Sequence, residues 1–221
     1  MAHGKNSDSA FYGRRKGKPL REKQADLCRD LLPLVRFSSY ARPSSYDETW
    51  LEIGFGGGEH LIATAAANPN VWLIGCEPFV NGVAKALSQM SLQSIQNISI
   101  HDDDVLKLLD DLPPNSLSRV FILYPDPWPK LRHRKRRLIS NEFLIRLSKV
   151  MAPGAELRFA TDIDDYAAWT LARIVQSEDF TWVQDRPEQW LVPWAGWTST
   201  RYESKAFQEG RSPVYLTFNR L

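Results

Sequence analysis

This 221-residue sequence has few cysteines and histidines and no long apolar run. Its two cysteines, Cys28 and Cys76, are too few for a disulfide framework, and we expect each to be a buried or half-buried thiol. The four histidines never approach each other or a cysteine with the spacing of metal ligands, so we expect no metal site. No apolar run reaches the ~20 residues that span a bilayer, and the polar first residues form no signal-peptide core. We therefore expect a cytoplasmic protein with no membrane partner.

Net charge is also small, +2 at pH 7, but it is unevenly distributed. Residues 1–24 contain seven Lys and Arg against two acids, and residues 130–137 contain six with no acid. Neither segment has a broad apolar face, so the pattern favours local contact with an extended polyanion over contact with a membrane surface. The alternative for each segment is a solvated charged surface.

The length suits one α/β domain with a modest extension. Residues 1–18 are rich in Gly, Ser, Lys and Arg and predict a disordered basic arm. Residues 19–221 are then a single domain, with a helical N-terminal extension to about residue 47.

Hydrophobic periodicity from residue 48 onward predicts strands that alternate with helices. The predicted strands are 49–53, 71–76, 98–101, 119–123 and 156–160, followed by an antiparallel pair at 181–183 and 214–218. The predicted helices are 22–32, 60–67, 81–91, 105–109, 137–151 and 166–175. This alternation is typical of a mostly parallel sheet covered by helices on both faces, in which ligands bind beyond the carboxyl ends of the strands.

A glycine cluster, Gly54 and Gly56–Gly58, follows the first predicted strand, where the chain turns into a helix. Glycine lets the backbone approach a ligand closely. A dinucleotide fingerprint requires a third glycine at the position of Glu59, and a carboxylate there disfavours a pyrophosphate. Glu52 before the turn suits a cationic ligand, as in S-adenosylmethionine, although a tight structural turn is the alternative interpretation.

Acidic residues follow the next two predicted strands. Glu77 ends the second strand, where a carboxylate can accept hydrogen bonds from both hydroxyls of a ribose. Asp102–Asp104 follow the third strand; Asp104 is either a ligand contact or the N-cap of the next helix. Together with Glu52 and the glycines, these positions predict an adenosylmethionine site.

Five segments resemble the bacterial tRNA (guanine-N7)-methyltransferase family. These are Leu51–Gly56, Tyr124–Lys130, Arg132–Arg137, Ala160–Asp162 and Thr200–Glu203. The Pro-Asp-Pro-Trp motif followed by a basic cluster is the most specific of them. The resemblance implies a class I S-adenosylmethionine-dependent methyltransferase fold, Rossmann-like, with a mostly parallel seven-stranded sheet and an antiparallel last strand. It also implies methylation of N7 of guanosine 46 in the variable loop of tRNA.

The resemblance further implies roles for individual residues. Asp126 would be catalytic, and the cofactor would contact Glu52, Gly54, Gly56, Glu77, Asp104 and Asp126. The substrate would contact Lys130, Asp162, Thr200, Arg201, Tyr202 and Glu203, and RNA would contact Arg132, His133, Arg134, Lys135, Arg136 and Arg137.

The residue types agree with this chemistry. Guanine N7 carries a lone pair and no proton, so the attacking atom needs no base. Asp126 would supply negative potential as the purine becomes cationic, with proton removal from N1 as a secondary role. Asp162 would read the N1–H and N2–H donors of guanine, or cap the following helix.

Other functions remain open at this point. They are a non-catalytic RNA-binding module, a methyltransferase acting on another RNA guanine, and a nicotinamide-dependent oxidoreductase that Glu59 disfavours. The sequence does not distinguish a monomer from a homodimer.

Overall fold

A seven-stranded sheet organises the chain in this computed structural model, which describes residues 12–38, 43 and 45–221. The strands are β1 (Glu48–Ile53), β2 (Val71–Cys76), β3 (Ile98–His101), β4 (Leu117–Leu123), β5 (Met151–Thr161), β6 (Phe180–Trp182) and β7 (Val214–Arg220). Their order across the sheet is β3-β2-β1-β4-β5-β7-β6. The first five are parallel, whereas β7 is antiparallel to both β5 and β6. The predicted fold class is therefore confirmed.

Eight α-helices accompany the sheet in the described residues. They are α1 (Glu22–Asp30), α2 (Leu32–Val35), α3 (Glu59–Ala67), α4 (Val80–Gln93), α5 (Val105–Asp111), α6 (Asn141–Val150), α7 (Asp164–Val175) and α8 (Arg201–Gln208). Apolar side chains of α3 and α4 pack on one face of the sheet, and those of α5, α6 and α7 pack on the other. Alternate residues of each central strand point into these two cores, so both faces are buried.

The helix predicted over 137–151 is wrong at its start. It begins at Asn141, because the Ser140 hydroxyl accepts a hydrogen bond from the Phe143 backbone N–H at 3.1 Å and caps the first turn. The basic residues before it form a separate 3₁₀ segment, Leu131–Arg136, which the periodicity does not predict. The start of α6 is thereby separated from the basic run, which lies beside the carboxyl ends of the strands.

Hydrophobic periodicity does not predict helix α8 either. The helix begins after Thr200, whose hydroxyl accepts a hydrogen bond from the Glu203 backbone N–H at 3.2 Å. A Thr followed by Glu three residues later is a helix-start signal, and the sequence contains it. The resemblance directs attention to substrate binding at these residues, whereas the structure shows that they also start a helix.

Part of the expected basic arm is held against the start of α4. The Val80 N–H donates to the Arg15 carbonyl at 3.0 Å, and Asn81 makes two further hydrogen bonds to the backbone of this segment. Its Oδ1 accepts from the Gly17 N–H at 2.7 Å, and its Nδ2 donates to the Lys18 carbonyl at 2.7 Å. Residues 1–11 of the predicted arm lie outside the described residues.

No helix among the described residues is long and apolar enough to cross a membrane. Within the same ranges, no group of three or more His, Cys, Asp or Glu side chains is arranged to hold a metal ion.

Candidate functional site

A cavity of about 800 Å³ opens at the carboxyl ends of β1, β2 and β4. Its wall includes Gly54 and Gly56 after β1, Glu77 after β2, Asp104 before α5, Tyr124–Asp126 after β4, and Arg201 and Tyr202 at the start of α8. Crossover connections in a parallel sheet bring these strand ends to one edge, which is why residues distant in sequence share the cavity. Its volume is within the range of pockets that hold a small-molecule ligand.

The glycine loop approaches α4 closely. Gly56 has a φ of +57°, a conformation that side chains rarely adopt. A Cβ added at Gly82 in α4 would lie 2.3 Å from the Gly56 carbonyl oxygen. Glycine is therefore needed on both sides of this contact, which holds the loop against the first turn of α4.

Glu77 ties the end of β2 to the glycine loop. One carboxylate oxygen accepts from the Gly56 N–H at 2.8 Å, and the other accepts from the Phe79 N–H at 3.0 Å. Burial raises the pKa of this carboxyl group, while the two backbone donors oppose that shift. The side chain therefore shapes the glycine loop and is also part of the cavity wall.

Three consecutive aspartates follow β3, and they face different partners. Asp102 pairs with Arg36, and Asp103 pairs with Lys107 and Arg15. The Lys107 hydrogen bond is the main cause that holds the pKa of Asp103 well below its usual range. Asp104 lines the cavity while its Oδ1 accepts from the Leu106 N–H at 2.9 Å. Both roles foreseen for Asp104 are therefore compatible with its position.

Asp126 lies in a loop with unusual backbone geometry. Tyr124 and Trp128 on either side of it have φ values of +51° and +43°, which place two non-glycine residues in the left-handed region. The flanking residues Pro125 and Pro127 further restrict the backbone. Asp126 lines the cavity, where desolvation raises the pKa of its carboxyl group. The residue is exposed at the cavity, so its carboxylate is accessible to a cationic ligand.

The basic 3₁₀ segment forms one rim of the cavity. Lys135 and Arg136 line the cavity itself, and the Arg136 guanidinium lies 4.9 Å from the Trp128 ring and 5.1 Å from the Tyr12 ring. Lys130 and Arg132 are exposed beside it, on a separate shallow depression. This rim presents positive charge next to the carboxylates of the cavity.

Two arginines of the basic run 130–137 make their contacts with other residues of the protein. The Arg137 side chain has no exposed surface; its guanidinium lies 4.9 Å from the Tyr166 ring and 4.9 Å from the Trp169 ring. It also donates to the Pro127 carbonyl at 2.8 Å. Arg137 and Arg134 both pair with the Asp165 carboxylate. Arg137 is therefore a packing residue, and this arrangement gives no support to its predicted contact with RNA.

Glu52 does not line the cavity. Its side chain is 3% exposed, and its carboxylate lies 2.7 Å from His60 Nδ1. Because β1 alternates its faces, Leu51 and Ile53 point to one core and Glu52 points to the opposite face, toward α3. A direct cofactor contact from Glu52 has no support in this arrangement.

The predicted substrate residues at the far end of the chain are separated into two groups. Arg201 and Tyr202 line the cavity, but Asp162 pairs with Arg211 Nε at 2.6 Å and lies outside the cavity wall. Thr200 caps α8, and Glu203 is 2% exposed among aromatic side chains. Of these five residues, Arg201 and Tyr202 are the pair placed for direct contact with a ligand in the cavity.

Part of the cavity wall was not predicted from the sequence. Residues 12–14 of the N-terminal segment and Phe79 line it, and no periodicity or motif points to them. Phe79 follows Glu77 by two residues, so its place after β2 is the one available signal.

Comparison with known proteins identifies close relatives. The model of a family described as "Putative methyltransferase" matches residues 47–216. The tRNA (guanine-N(7)-)-methyltransferase of Rhizobium meliloti (strain 1021) is 47% identical, over 98% of this chain and 97% of the relative. A protein with the same name from Ruegeria pomeroyi (strain ATCC 700808 / DSM 15171 / DSS-3) is 48% identical, over 96% of this chain and 94% of the relative.

Solved structures share the fold at low sequence identity. The 16S rRNA methyltransferase KamB superposes with a TM-score of 0.55 at 17% identity, covering 80% of this chain and 89% of KamB. TrmN from Thermus thermophilus gives a TM-score of 0.56 at 14% identity, covering 90% of this chain and 48% of TrmN. At this level of identity the likeness extends to the sheet and its helices alone.

Proposed function

This chain belongs to the tRNA (guanine-N7)-methyltransferase family, and on that premise we propose that it methylates N7 of guanosine 46 in the variable loop of tRNA, with S-adenosylmethionine as the methyl donor. The observation that carries the proposal is one cavity that collects Glu77, Asp104 and Asp126 and has an exposed basic segment on its rim. A tRNA substrate also agrees with the cytoplasmic location expected from the sequence.

The residues of the cavity fit a donor with mixed charge. Three carboxylates would repel the negative charge of a pyrophosphate and attract the ammonium and sulfonium cations of this donor. Arg201 on the same wall supplies a cation for a carboxylate group. Glu77 at the end of β2 is placed to accept hydrogen bonds from ribose hydroxyls. When bound, S-adenosylmethionine supplies an electrophilic methyl group on sulfur.

Asp126 is proposed to act on the guanine through its charge. Guanine N7 gains a bond without losing a proton, so the purine becomes cationic as the reaction proceeds. A carboxylate held in a loop that Pro125 and Pro127 restrict stabilises that charge without needing to reorient. Tyr202 and Trp128 offer aromatic surfaces on the cavity wall against which a base can stack. The protein is therefore proposed to act by positioning the guanine and by electrostatic stabilisation of the purine as it becomes cationic.

The exposed cations of the basic segment are proposed to contact tRNA phosphates. Lys130, Arg132 and Lys135 are exposed. Among the described residues, the ion pairs made by the basic run 130–137 are those of Arg134 and Arg137. Phosphate contacts fix the position of the RNA, while the cavity selects the reacting base.

The direct test is incubation of the protein with S-adenosylmethionine and unmodified tRNA. Borohydride reduction followed by aniline cleavage maps N7-methylguanine along the RNA. We expect cleavage at guanosine 46, and none with a tRNA that carries adenosine there. Tight tRNA binding without methylation would instead identify a non-catalytic RNA-binding module, and cleavage at a different guanosine would move the proposed position.

Glu77→Ala is expected to weaken donor binding. It removes an acceptor for ribose hydroxyls and leaves the Gly56 and Phe79 N–H groups without their partner. The expected loss is about 1–3 kcal/mol, or roughly 5- to 150-fold in Kd. Calorimetric titration with S-adenosylmethionine measures it. Glu59→Ala is the control, because Glu59 is exposed and does not line the cavity; equal affinities for the two variants would contradict the assignment.

Replacing Lys130, Arg132 and Lys135 together by Gln is expected to weaken tRNA binding and to reduce its salt dependence. Each phosphate contact releases about one counterion, so the log–log slope of affinity against salt should fall by up to roughly one unit for each phosphate contact that the substitutions remove. Filter binding or fluorescence anisotropy at several salt concentrations gives the slope.

The matched control replaces Lys23, Lys85 and Lys149 by Gln. These substitutions remove the same net charge at three exposed lysines that do not line the cavity. A slope that falls equally in both triple variants would show that only net charge matters, and the basic segment would then be a solvated surface.

A further inference from the structure

Glu203 is a buried carboxylate that joins three separate segments of the chain. Its Oε1 accepts from the Tyr124 hydroxyl at 3.2 Å and from the Tyr215 hydroxyl, and Trp197 Nε1 donates to both of its oxygens at 3.0 and 2.9 Å. Tyr124 directly follows β4, Trp197 lies in the loop before α8, and Tyr215 lies in β7.

This position excludes a direct contact between Glu203 and tRNA. The residue is 2% exposed, and a carboxylate has about four lone-pair sites, most of which these donors occupy. A base would have to displace aromatic side chains to reach it. The substrate contact that the resemblance implied for Glu203 therefore has no route in this structure.

Tyr124 is the partner that connects Glu203 to the reaction. Its φ of +51° is unfavourable for a non-glycine residue, so other contacts must hold it there. Its backbone N–H donates to the Ala160 carbonyl at 2.8 Å, and its hydroxyl donates to Glu203. Burial raises the pKa of Tyr124, which keeps the hydroxyl protonated and able to donate. The two contacts fix both ends of the residue from which the Asp126 loop departs.

Glu203 is also adjacent in sequence to a part of the cavity wall that α8 supplies. Arg201 and Tyr202 directly precede it and line the cavity, and a Cβ at Gly56 would lie 3.3 Å from Arg201 Nη2 and 3.4 Å from the Tyr202 ring. One buried side chain is therefore joined both to the residue that precedes the Asp126 loop and to the α8 wall.

We propose that Glu203 is a positioning residue of methyl transfer, which acts through Tyr124 to align Asp126 with the wall formed by Arg201 and Tyr202. This inference rests on the proposed function. A displaced loop leaves the binding surfaces present but misaligns the reacting groups, and misalignment of about 1 Å reduces turnover more than binding. The predicted signature is a fall in kcat with little change in KM for tRNA.

The test is a double-mutant cycle with Glu203→Gln and Tyr124→Phe, measured as transfer of a labelled methyl group to tRNA. Gln matches Glu in shape but cannot accept from all three donors, and Phe removes only the Tyr124 hydroxyl. We expect each variant to lower kcat at least tenfold, to change KM for tRNA less than threefold, and to leave the calorimetric Kd for S-adenosylmethionine within threefold. The double variant should be no slower than the slower single variant, because Glu203 is proposed to act through the Tyr124 hydroxyl.

Any one of four results would overturn the proposal. A raised KM with unchanged kcat would assign Glu203 to substrate binding. A lower Tm with unchanged kcat per folded molecule would make it structural only. Multiplicative effects in the double variant would show that Tyr124 and Glu203 act independently. If Glu203→Gln does not fold, a wild-type kcat for Tyr124→Phe overturns the proposed role of Glu203. Failure of the wild-type protein to methylate any tRNA would instead refute the proposed function.

Discussion

Asp126→Asn is expected to reduce kcat, with donor and tRNA saturating, by about a hundredfold or more while the fold is retained. The amide keeps the shape of the side chain but removes the negative charge from the site where the purine becomes cationic. Removal of one preorganised electrostatic partner typically costs about 10²–10³ in kcat. Single-turnover transfer of a labelled methyl group, with saturating donor and tRNA, measures this step directly.

The matched control is Asp111→Asn, which makes the same chemical change at an exposed carboxylate outside the cavity wall. Its turnover should equal that of the wild-type protein. A wild-type rate for Asp126→Asn would refute the electrostatic role and leave Asp126 as a loop residue.

The same carboxylate predicts a pH dependence. Partial desolvation at the cavity raises the pKa of Asp126, and the proposed role requires its ionised form. Activity should therefore be retained above that raised pKa and should decline as pH falls through it, at a pH above the ~3.9 of an unperturbed aspartate. In the Asp126→Asn variant the residual rate should no longer show this acid limb.

Arg137→Ala is expected to destabilise the whole domain. The substitution leaves a cavity beside the Tyr166 and Trp169 rings and removes the donor to the Pro127 carbonyl. Truncation of a large buried side chain typically costs about 2–4 kcal/mol. For a domain of this size the corresponding fall in Tm is roughly 5–15 °C. Thermal unfolding followed by circular dichroism gives the value.

Arg132→Ala provides the contrast, because Arg132 belongs to the same basic run but is exposed. It should leave Tm unchanged and weaken tRNA binding. If Arg137→Ala kept the wild-type Tm and reduced only tRNA affinity, Arg137 would contact RNA as the resemblance implies.

The sheet could be predicted from the sequence because its signals are local. Buried strands and glycine or acidic turns recur in order, so the boundaries of β2 and β3 agree with the prediction at both ends. Glu77, Asp104 and Asp126 follow the carboxyl ends of parallel strands, where ligands are expected to bind, and all three line one cavity. The start of α6 was predicted wrongly because Leu138 and Ile139, which lie before the helix, continue its apolar pattern.

The orientation and pairing of the site residues could not be predicted in the same way. Glu52 precedes the glycine turn as expected, but its partner His60 determines where its carboxylate points. Asp162 meets Arg211, 49 residues further along the chain, and no spacing rule identifies such a pair. Arg137 resembles its exposed neighbours in sequence, because a run of cations does not reveal which member packs against aromatic rings. These outcomes depend on tertiary contacts that composition and periodicity do not encode.

The placement of β7 has a consequence for how the chain acquires its activity during synthesis. β6 pairs with β7, and β7 in turn pairs with β5, so β6 cannot join the sheet before β7 is made. The contact from Tyr124 to Glu203 spans 79 residues, and Tyr215 completes the same group of side chains. A nascent chain therefore has the strand ends that form the cavity before it has the side chains that hold Tyr124, next to the Asp126 loop. Because Tyr215 lies in β7, the complete group of side chains around Glu203 can form only after translation has passed β7.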